Sequence, residues 1–316
     1  MKHYIGIDIG GTKCAVSLGC EFPAEDGMRV LEKRRFETSG SAPSEVLGKI
    51  AAFAEELARN AEIEGIGISC GGPLDSESGI ILGPPNLPGW DRVEIVSYFQ
   101  EKCRLPVYLQ NDANACAVAE WRYGAGKGLQ NMIFLTFGTG MGAGLILNGR
   151  LYTGTNGMAG EVGHWRMSAD GPVGYGKAGS FEGFCSGGGI AGAARAKIGR
   201  AKESKLFSSQ GSLQSINAKQ IANLADSGDE FCKSIYADCG RILGRGLSLM
   251  IDLLNPQMIV IGSIFARSQN LLWKYAKTEI EAEALRQSAE ECRVVPSLLG
   301  ERLGDIAALT AAAGIS

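Results

Sequence analysis

The strongest constraint on this chain is a unit that occurs twice: an apolar strand, a glycine turn carrying threonine, and a return strand. The first copy is Ile7-Asp8-Ile9-Gly10-Gly11-Thr12-Lys13, set between apolar runs at 3–9 and 13–19. The second is Thr136-Phe137-Gly138-Thr139-Gly140-Met141-Gly142, set between runs at 131–137 and 143–147. Glycine lets the backbone approach a ligand closely, and successive N–H groups in such a turn form a concavity for anions. One such turn reads equally well as an ordinary hairpin. Two at corresponding places predict a duplicated α/β chain with a phosphate cradle in each half. Neither is a dinucleotide fingerprint, because a strand follows rather than a helix. Neither is a P-loop, because no Gly-Lys-Ser/Thr closes it.

The remaining pattern supports two lobes, the expectation for 316 residues. Residues 28–37 predict a third strand. Val46, Leu47, Ile50, Phe53, Ala54 and Leu57 recur at helical spacing, predicting an amphipathic helix from Ser44 to Arg59 with Ser44 as its N-cap. Gly65 to Ser69 reads as a buried strand running into the turn Cys70-Gly71-Gly72-Pro73. A strand over 106–110 ends at Asn111-Asp112, and a helix runs from Ala113 to Arg122. Between Gly154 and Gly189 the chain is glycine-rich and shows little periodicity. Phe231, Ile235, Cys239, Ile242, Gly246, Met250 and Leu253 mark a long buried helix that stops at Asn255-Pro256. A buried strand at 258–261, a helix to about residue 285 and a short helix over 305–313 complete the chain, the last returning to the first lobe.

Composition narrows the class. A formal charge of −3 argues against a general binder of nucleic acid or anionic membrane. No apolar run approaches the length of a membrane-spanning helix, so the expected compartment is the cytoplasm. The nine cysteines are scattered without a CxxC pair, and there are only two histidines, His3 and His164. Neither a disulfide framework nor a metal cluster is supported.

The chemistry gathers around Asn111-Asp112. The pair lies where a strand ends and a helix begins, the edge at which ligands collect in parallel α/β sheets. As an isolated dipeptide it reads as a helix cap. Between two phosphate cradles, Asp112 can accept the proton of an attacking hydroxyl while Asn111 holds a neighbouring one. Asp8 can orient a magnesium ion through its waters. Asn86, in Pro84-Pro85-Asn86-Leu87-Pro88-Gly89-Trp90, is either a turn former or a ligand. A lone histidine is more often structural. Glu161 and Glu182 near His164 instead suggest a polyhydroxylated ligand, which needs both acceptors and donors.

These motifs, in this order, resemble those of the ROK family of sugar kinases and repressors, and the resemblance runs nearly end to end. It implies an actin-like ATPase fold, two ribonuclease-H-like lobes around a central cleft. The small lobe is expected at 1–112, with a C-terminal helix 303–316 packing back on it, and the large lobe at 113–302. It also implies an ATP- and Mg2+-dependent hexose kinase, transferring the γ-phosphoryl group to a sugar hydroxyl, most often the 6-hydroxyl, with Asp112 as general base. Gly72, Asn86, Asn111, Asp112, Glu161, His164 and Glu182 would contact the hexose. Asp8, Gly10, Gly11, Thr12, Lys13, Thr136, Gly138, Thr139, Gly140 and Gly262 would form the nucleotide side, with Lys13 on the outgoing strand and solvated. Ser263 stands where the family usually has glycine. The family implies a homodimer.

Two rival classes are a sugar-responsive regulator and a silent sugar-binding protein. The family's repressors carry an N-terminal helix-turn-helix domain, whereas here Asp8 follows only seven residues. The base and both cradles argue against a silent binder. One departure is large. Members usually carry Cys-x-Cys-Gly-x-x-Gly-Cys-x-Glu after the histidine, and those cysteines with the histidine bind structural zinc. Here Val173, Tyr175 and Ser180 replace the three cysteines, so zinc is expected to be absent and no metal ligands are assigned. Val173, Tyr175 and Phe181 are the expected anchors of an apolar cluster in its place.

Overall fold

The computed structural model of the chain describes residues 1–22, 27–197, 204–208 and 213–314. They divide into two compact units, Met1–Gln130 with Gly144–Ala159 and Leu298–Ser316, and Asn131–Ala143 with Gly160–Ser297.

The first unit is built on a five-stranded sheet in the order Gly27–Glu37, Lys13–Phe22, Lys2–Ile9, Ile63–Cys70, Val107–Asn111. The first three strands form an antiparallel meander, and the last two run parallel to Lys2–Ile9. Strands with both faces covered read as continuous apolar runs, and Tyr4, Ile5 and Ile7 are all buried. The helix Pro43–Ala58 packs Val46, Leu47, Ile50 and Ala54 into this core. Its start differs from the sequence expectation. Ser44 lies inside the first turn, and the N-cap is Ala42, with no side-chain cap bond. Pro43 explains the shift, since its fixed φ suits the first helical position and it has no N–H to satisfy.

The other face of the sheet is covered by the C-terminal helix Leu303–Ala312. Residues 315–316 of the expected helix 303–316 lie outside the described residues. The contact is close because glycine lies beneath it. A Cβ on Gly67 would fall 2.1 Å from the Ala308 carbonyl oxygen and 2.2 Å from the Ala312 nitrogen. One on Gly6 would fall 2.9 Å from the Leu309 nitrogen. Buried Glu120, on the helix Asp112–Tyr123, secures the approach of this segment by accepting from Ala125 N (2.8 Å) and Leu299 N (3.0 Å).

A second five-stranded sheet repeats the order of the first: Arg150–Tyr152, Met141–Leu147, Met132–Phe137, Met258–Ile261, Arg293–Pro296. Again an antiparallel hairpin leads to strands running parallel with its first member. In the second unit the long helix is Glu230–Leu254, started by the Asp229 side chain accepting from Cys232 N and ended by Asn255 at φ 43°. The stretch expected to be irregular holds short elements: a 3-10 turn Val162–His164, a hairpin Val173–Gly174 with Lys177–Ala178, and helices Phe181–Phe184 and Gly187–Ala196. Among the described residues no helix is long and apolar enough to cross a membrane.

A Gly67→Ala substitution should therefore destabilise the first unit by about 1–3 kcal/mol, the usual range for overpacking. Denaturant unfolding should show the loss. An unchanged midpoint would mean that the helix and strand are not in contact at this glycine.

Candidate active site

In the first unit the sequence-predicted residues converge. The leading turn closes through Gly10 N donating to Lys13 O (3.0 Å) and is braced by Thr38 Oγ1 donating to Gly10 O (2.9 Å). Gly11 lies against Asn86, so close that a Cβ there would be 2.3 Å from the Asn86 carbonyl oxygen. A Cβ on Gly71 would be within 4 Å of both the Asn86 amide and Asp112 Oδ2. One on Gly72 would be 3.4 Å from Asn111 Nδ2. Bare backbone thus lines the space onto which Asn86, Asn111 and Asp112 open. Thr12 and Lys13 are exposed, and Lys13 pairs with Glu37 at 3.6 Å in solvent.

Of the pair Asn111-Asp112, only the first residue is the helix cap. Asn111 caps the helix, its Oδ1 accepting from Ala113 N (3.0 Å) and Asn114 N (3.3 Å). That leaves its Nδ2 free to donate. Asp112 Oδ1 accepts from Ala113 N at 2.7 Å, and Oδ2 faces the Gly71 side. Burial raises the Asp112 carboxyl above its ordinary value, and the Ala113 N–H moderates the rise. A carboxylate held this way is a stronger base than one in water.

Asp8 is raised as well. Burial pushes its pKa up to about 6, reinforced by Asp112 and Asp305 and opposed by Lys33 and Arg35. Magnesium suits such a group, since it binds through one or two carboxylates plus substrate phosphates and keeps several waters. Among the described residues no group of three or more His, Cys, Asp or Glu could hold a metal by itself, so phosphate oxygens would have to complete the shell.

In the second unit the glycine turn is held from within. Thr136 Oγ1 accepts from Gly142 N (2.9 Å), Gly138 N donates to Gly140 O (3.1 Å), and Gly187 N donates to Gly138 O (2.8 Å). Glu182 Oε2 accepts from Met141 N (3.1 Å), and a Cβ on Gly140 would meet that oxygen at 2.8 Å. Glu182, Gly140 and the turn are thus one assembly, while Thr139 is exposed. Glu161 precedes the 3-10 turn that carries His164. Gly262 is buried against Phe134. Ser263 beside it has φ 53°, the left-handed region where glycine is at ease, and its Oγ accepts from Arg267 Nη2 (3.1 Å).

The chain matches the family described as "ROK family" over residues 4–314. It belongs to the ROK family. A glucokinase of Halalkalibacterium halodurans is 31% identical over 313 residues, covering 96% of this chain and 93% of that protein. A xylose repressor of Bacillus subtilis is 29% identical over 238 residues, covering 75% of this chain and 58% of the repressor. Among solved structures, a ROK family glucokinase from Streptomyces griseus in complex with glucose and AMPPNP is similar with TM-score 0.83 and 28% identity over 99% of both chains. The fold is the actin-like ATPase fold with its duplicated sheet.

Within this ROK chain the segment that departs from the family pattern is organised by the backbone. Met167 N donates to Gly179 O (2.8 Å), Gly179 N to Pro172 O (2.9 Å) and Phe181 N to Trp165 O (2.8 Å). Ser180, buried, caps the next helix by accepting from Gly183 N and also donates to Gly174 O. The expected apolar cluster does not form. Phe181 is fully buried, but Val173 is 65% and Tyr175 55% exposed. The two-residue turn at Tyr175 and Gly176, both at positive φ, turns Tyr175 outward onto the His164 ring at 4.6 Å between centroids. The sequence reading missed Gly304 and Asp305, which lie beside Asp8. The available signal was a carboxylate in an otherwise apolar terminal helix.

The raised pKa of Asp8 predicts a pH signature. The native state holds this proton more tightly than the unfolded chain, so stability falls as pH rises from about 4 to about 6. Asp8→Asn, which mimics the protonated form, should gain roughly 2–3 kcal/mol at pH 7 in chelator-treated buffer and nothing below about pH 4. Unfolding curves across pH test this, and equal stability at pH 7 would contradict it.

Proposed function

We propose that this chain is an ATP-dependent hexose kinase that transfers the γ-phosphoryl group to a sugar hydroxyl, the 6-hydroxyl by family resemblance. The observation that carries the reading is the convergence of Asp112, Asn86, Asn111 and the first glycine turn on glycine-lined backbone. Asp112 Oδ2 takes the hydroxyl proton, the sugar oxygen forms its bond to the γ-phosphorus, and the bond from that phosphorus to the bridging oxygen breaks, releasing ADP. Asn111 Nδ2 and the Asn86 amide orient the sugar. Glu161, His164 and Glu182 are its further contacts, Glu182 sharing its carboxylate with the Met141 N–H. Gly10, Gly11, Thr12, Thr136, Gly138, Thr139, Gly140 and Gly262 form the nucleotide side. Asp8 would hold magnesium, which when bound offsets the charge on the phosphates.

The test is an ADP-release screen over hexoses and N-acetylhexosamines with wild type and Asp112→Asn. The expected outcome is sugar-dependent turnover that falls roughly 10²–10⁴-fold in the variant, with sugar affinity retained. Near-normal turnover in Asp112→Asn would remove Asp112 from the mechanism. Sugar binding without turnover in wild type would favour a regulator or silent binder.

The same reading takes the protein to lack structural zinc. The donor set does not fit, because Val173 and Tyr175 face solvent and the Ser180 hydroxyl is committed to Gly183 and Gly174. Elemental analysis of chelator-washed, active protein should find no stoichiometric zinc. Zinc whose removal abolishes folding would overturn this. A homodimer is the assembly the family suggests, and light scattering measures it.

A further inference from the structure

Sheet register places an unassigned group of side chains beside Asp8. Asp8 pairs with Ala15, which pairs with Arg35 on the next strand. Two residues along, Gly6 pairs with Ser17, which pairs with Lys33. Directly paired residues, and residues two apart on a strand, share one face. Asp8, Ser17, Lys33 and Arg35 therefore all point to the face covered by the C-terminal helix. The helix delivers two residues to them. Gly304 sits where a Cβ would be 2.8 Å from Asp8 Oδ2. Asp305, only 6% exposed, accepts from Ser17 Oγ at 3.0 Å and forms an ion pair with Lys33.

An ion pair with one buried and one half-buried member adds little stability over apolar residues of similar size, so its presence calls for another role. The charges supply one. Lys33 and Arg35 are the cations that act on Asp8, and Asp305 is the carboxylate that engages Lys33. Without Asp305, the half-buried Lys33 ammonium would lose its carboxylate partner, with Asp8 as the nearby carboxylate left to take it. That contact would occupy the oxygens Asp8 needs for magnesium and phosphate.

We propose that Asp305 is a positioning residue that, with Ser17, holds Lys33 away from Asp8, making the start of the C-terminal helix part of the metal-phosphate half-site. The proposal rests on the kinase reading. Gly304 completes the arrangement by leaving the Asp8 carboxylate its place.

The test compares wild type, Asp305→Asn and the double variant Lys33→Met with Asp305→Asn, each first shown to fold by circular dichroism and thermal unfolding. Calorimetry then measures Mg·ADP affinity, alongside the magnesium concentration for half-maximal turnover and the sugar KM. Asp305→Asn should weaken Mg·ADP binding and raise the magnesium requirement by about tenfold, the coupling expected of charges in contact, with sugar KM unchanged. Removing Lys33 as well should restore most of both, even if the double variant is less stable. Unchanged Mg·ADP affinity in folded Asp305→Asn overturns the proposal. So does a defect that the double variant fails to relieve, because the role would then be structural. If Asp305→Asn does not fold, the double variant and Lys33→Met alone decide: loss of Mg·ADP affinity in either overturns the proposal, and retention supports it. Wild type that binds Mg·ADP but phosphorylates no sugar would sink the kinase reading alone, leaving the calorimetric comparison intact.

Discussion

Close contact between the C-terminal helix and the glycine-bearing face of the first sheet is the interaction on which the first unit depends. Gly6 and Gly67 supply no side chain, so Ala308, Leu309 and Ala312 press against strand backbone. Dispersion is short-ranged, and a gap of even a fraction of an ångström forfeits much of it. The alanine-rich helix and the strand glycines therefore act as one feature. Glu120 accepts from the backbone at Leu299, which fixes where the returning chain enters. The first turn of the helix, with Gly304 and Asp305, then reaches Asp8 as a consequence of how the helix lies.

That docking also shapes the electrostatics. Asp8 and Asp112 are both raised by burial, and Asp8 further by Asp112 and Asp305, so carboxyl groups are held close together in a half-buried site. Such an arrangement lowers stability at neutral pH, and perturbed carboxyls of this kind cluster at functional sites. The two groups differ in how they are compensated. Asp112 has the Ala113 N–H, and its rise is due to burial, whereas Asp8 draws on Lys33 and Arg35 of the outer meander strand Gly27–Glu37.

In the second unit, hydrogen bonding organises the segment in which Val173, Tyr175 and Ser180 stand. Ser180 caps the helix that carries Glu182, the tight turn at Tyr175 and Gly176 closes the small hairpin, and backbone pairs from Met167 to Phe181 tie the segment together. Glu182 is thereby presented to the Met141 N–H at the edge of the second glycine turn. The strained φ of Ser263 remains beside Gly262, with Arg267 bonded to its hydroxyl.

Much of this was legible in the chain itself. The two glycine hairpins, the strand ending at Asn111 and the long helix stopped at Asn255 follow from local periodicity and turn chemistry, which act over a few residues. Asn86, Asn111 and Asp112 were recognisable because motif order survives in a linear sequence. The rest needed the tertiary structure. Ser17 and Asp305 are 288 positions apart, and no local signal pairs them; only the docking of the C-terminal helix does. Val173 and Tyr175 read as core residues because apolar character is visible in sequence, whereas the hairpin twist that turns them to solvent is not. The helix expected to be capped by Ser44 is capped two residues earlier, at Ala42, because Pro43 fixes its own φ. Sequence determined which elements form and which face each buries. Tertiary packing decided which distant backbones come close enough to touch, because close approach depends on side chains that are absent.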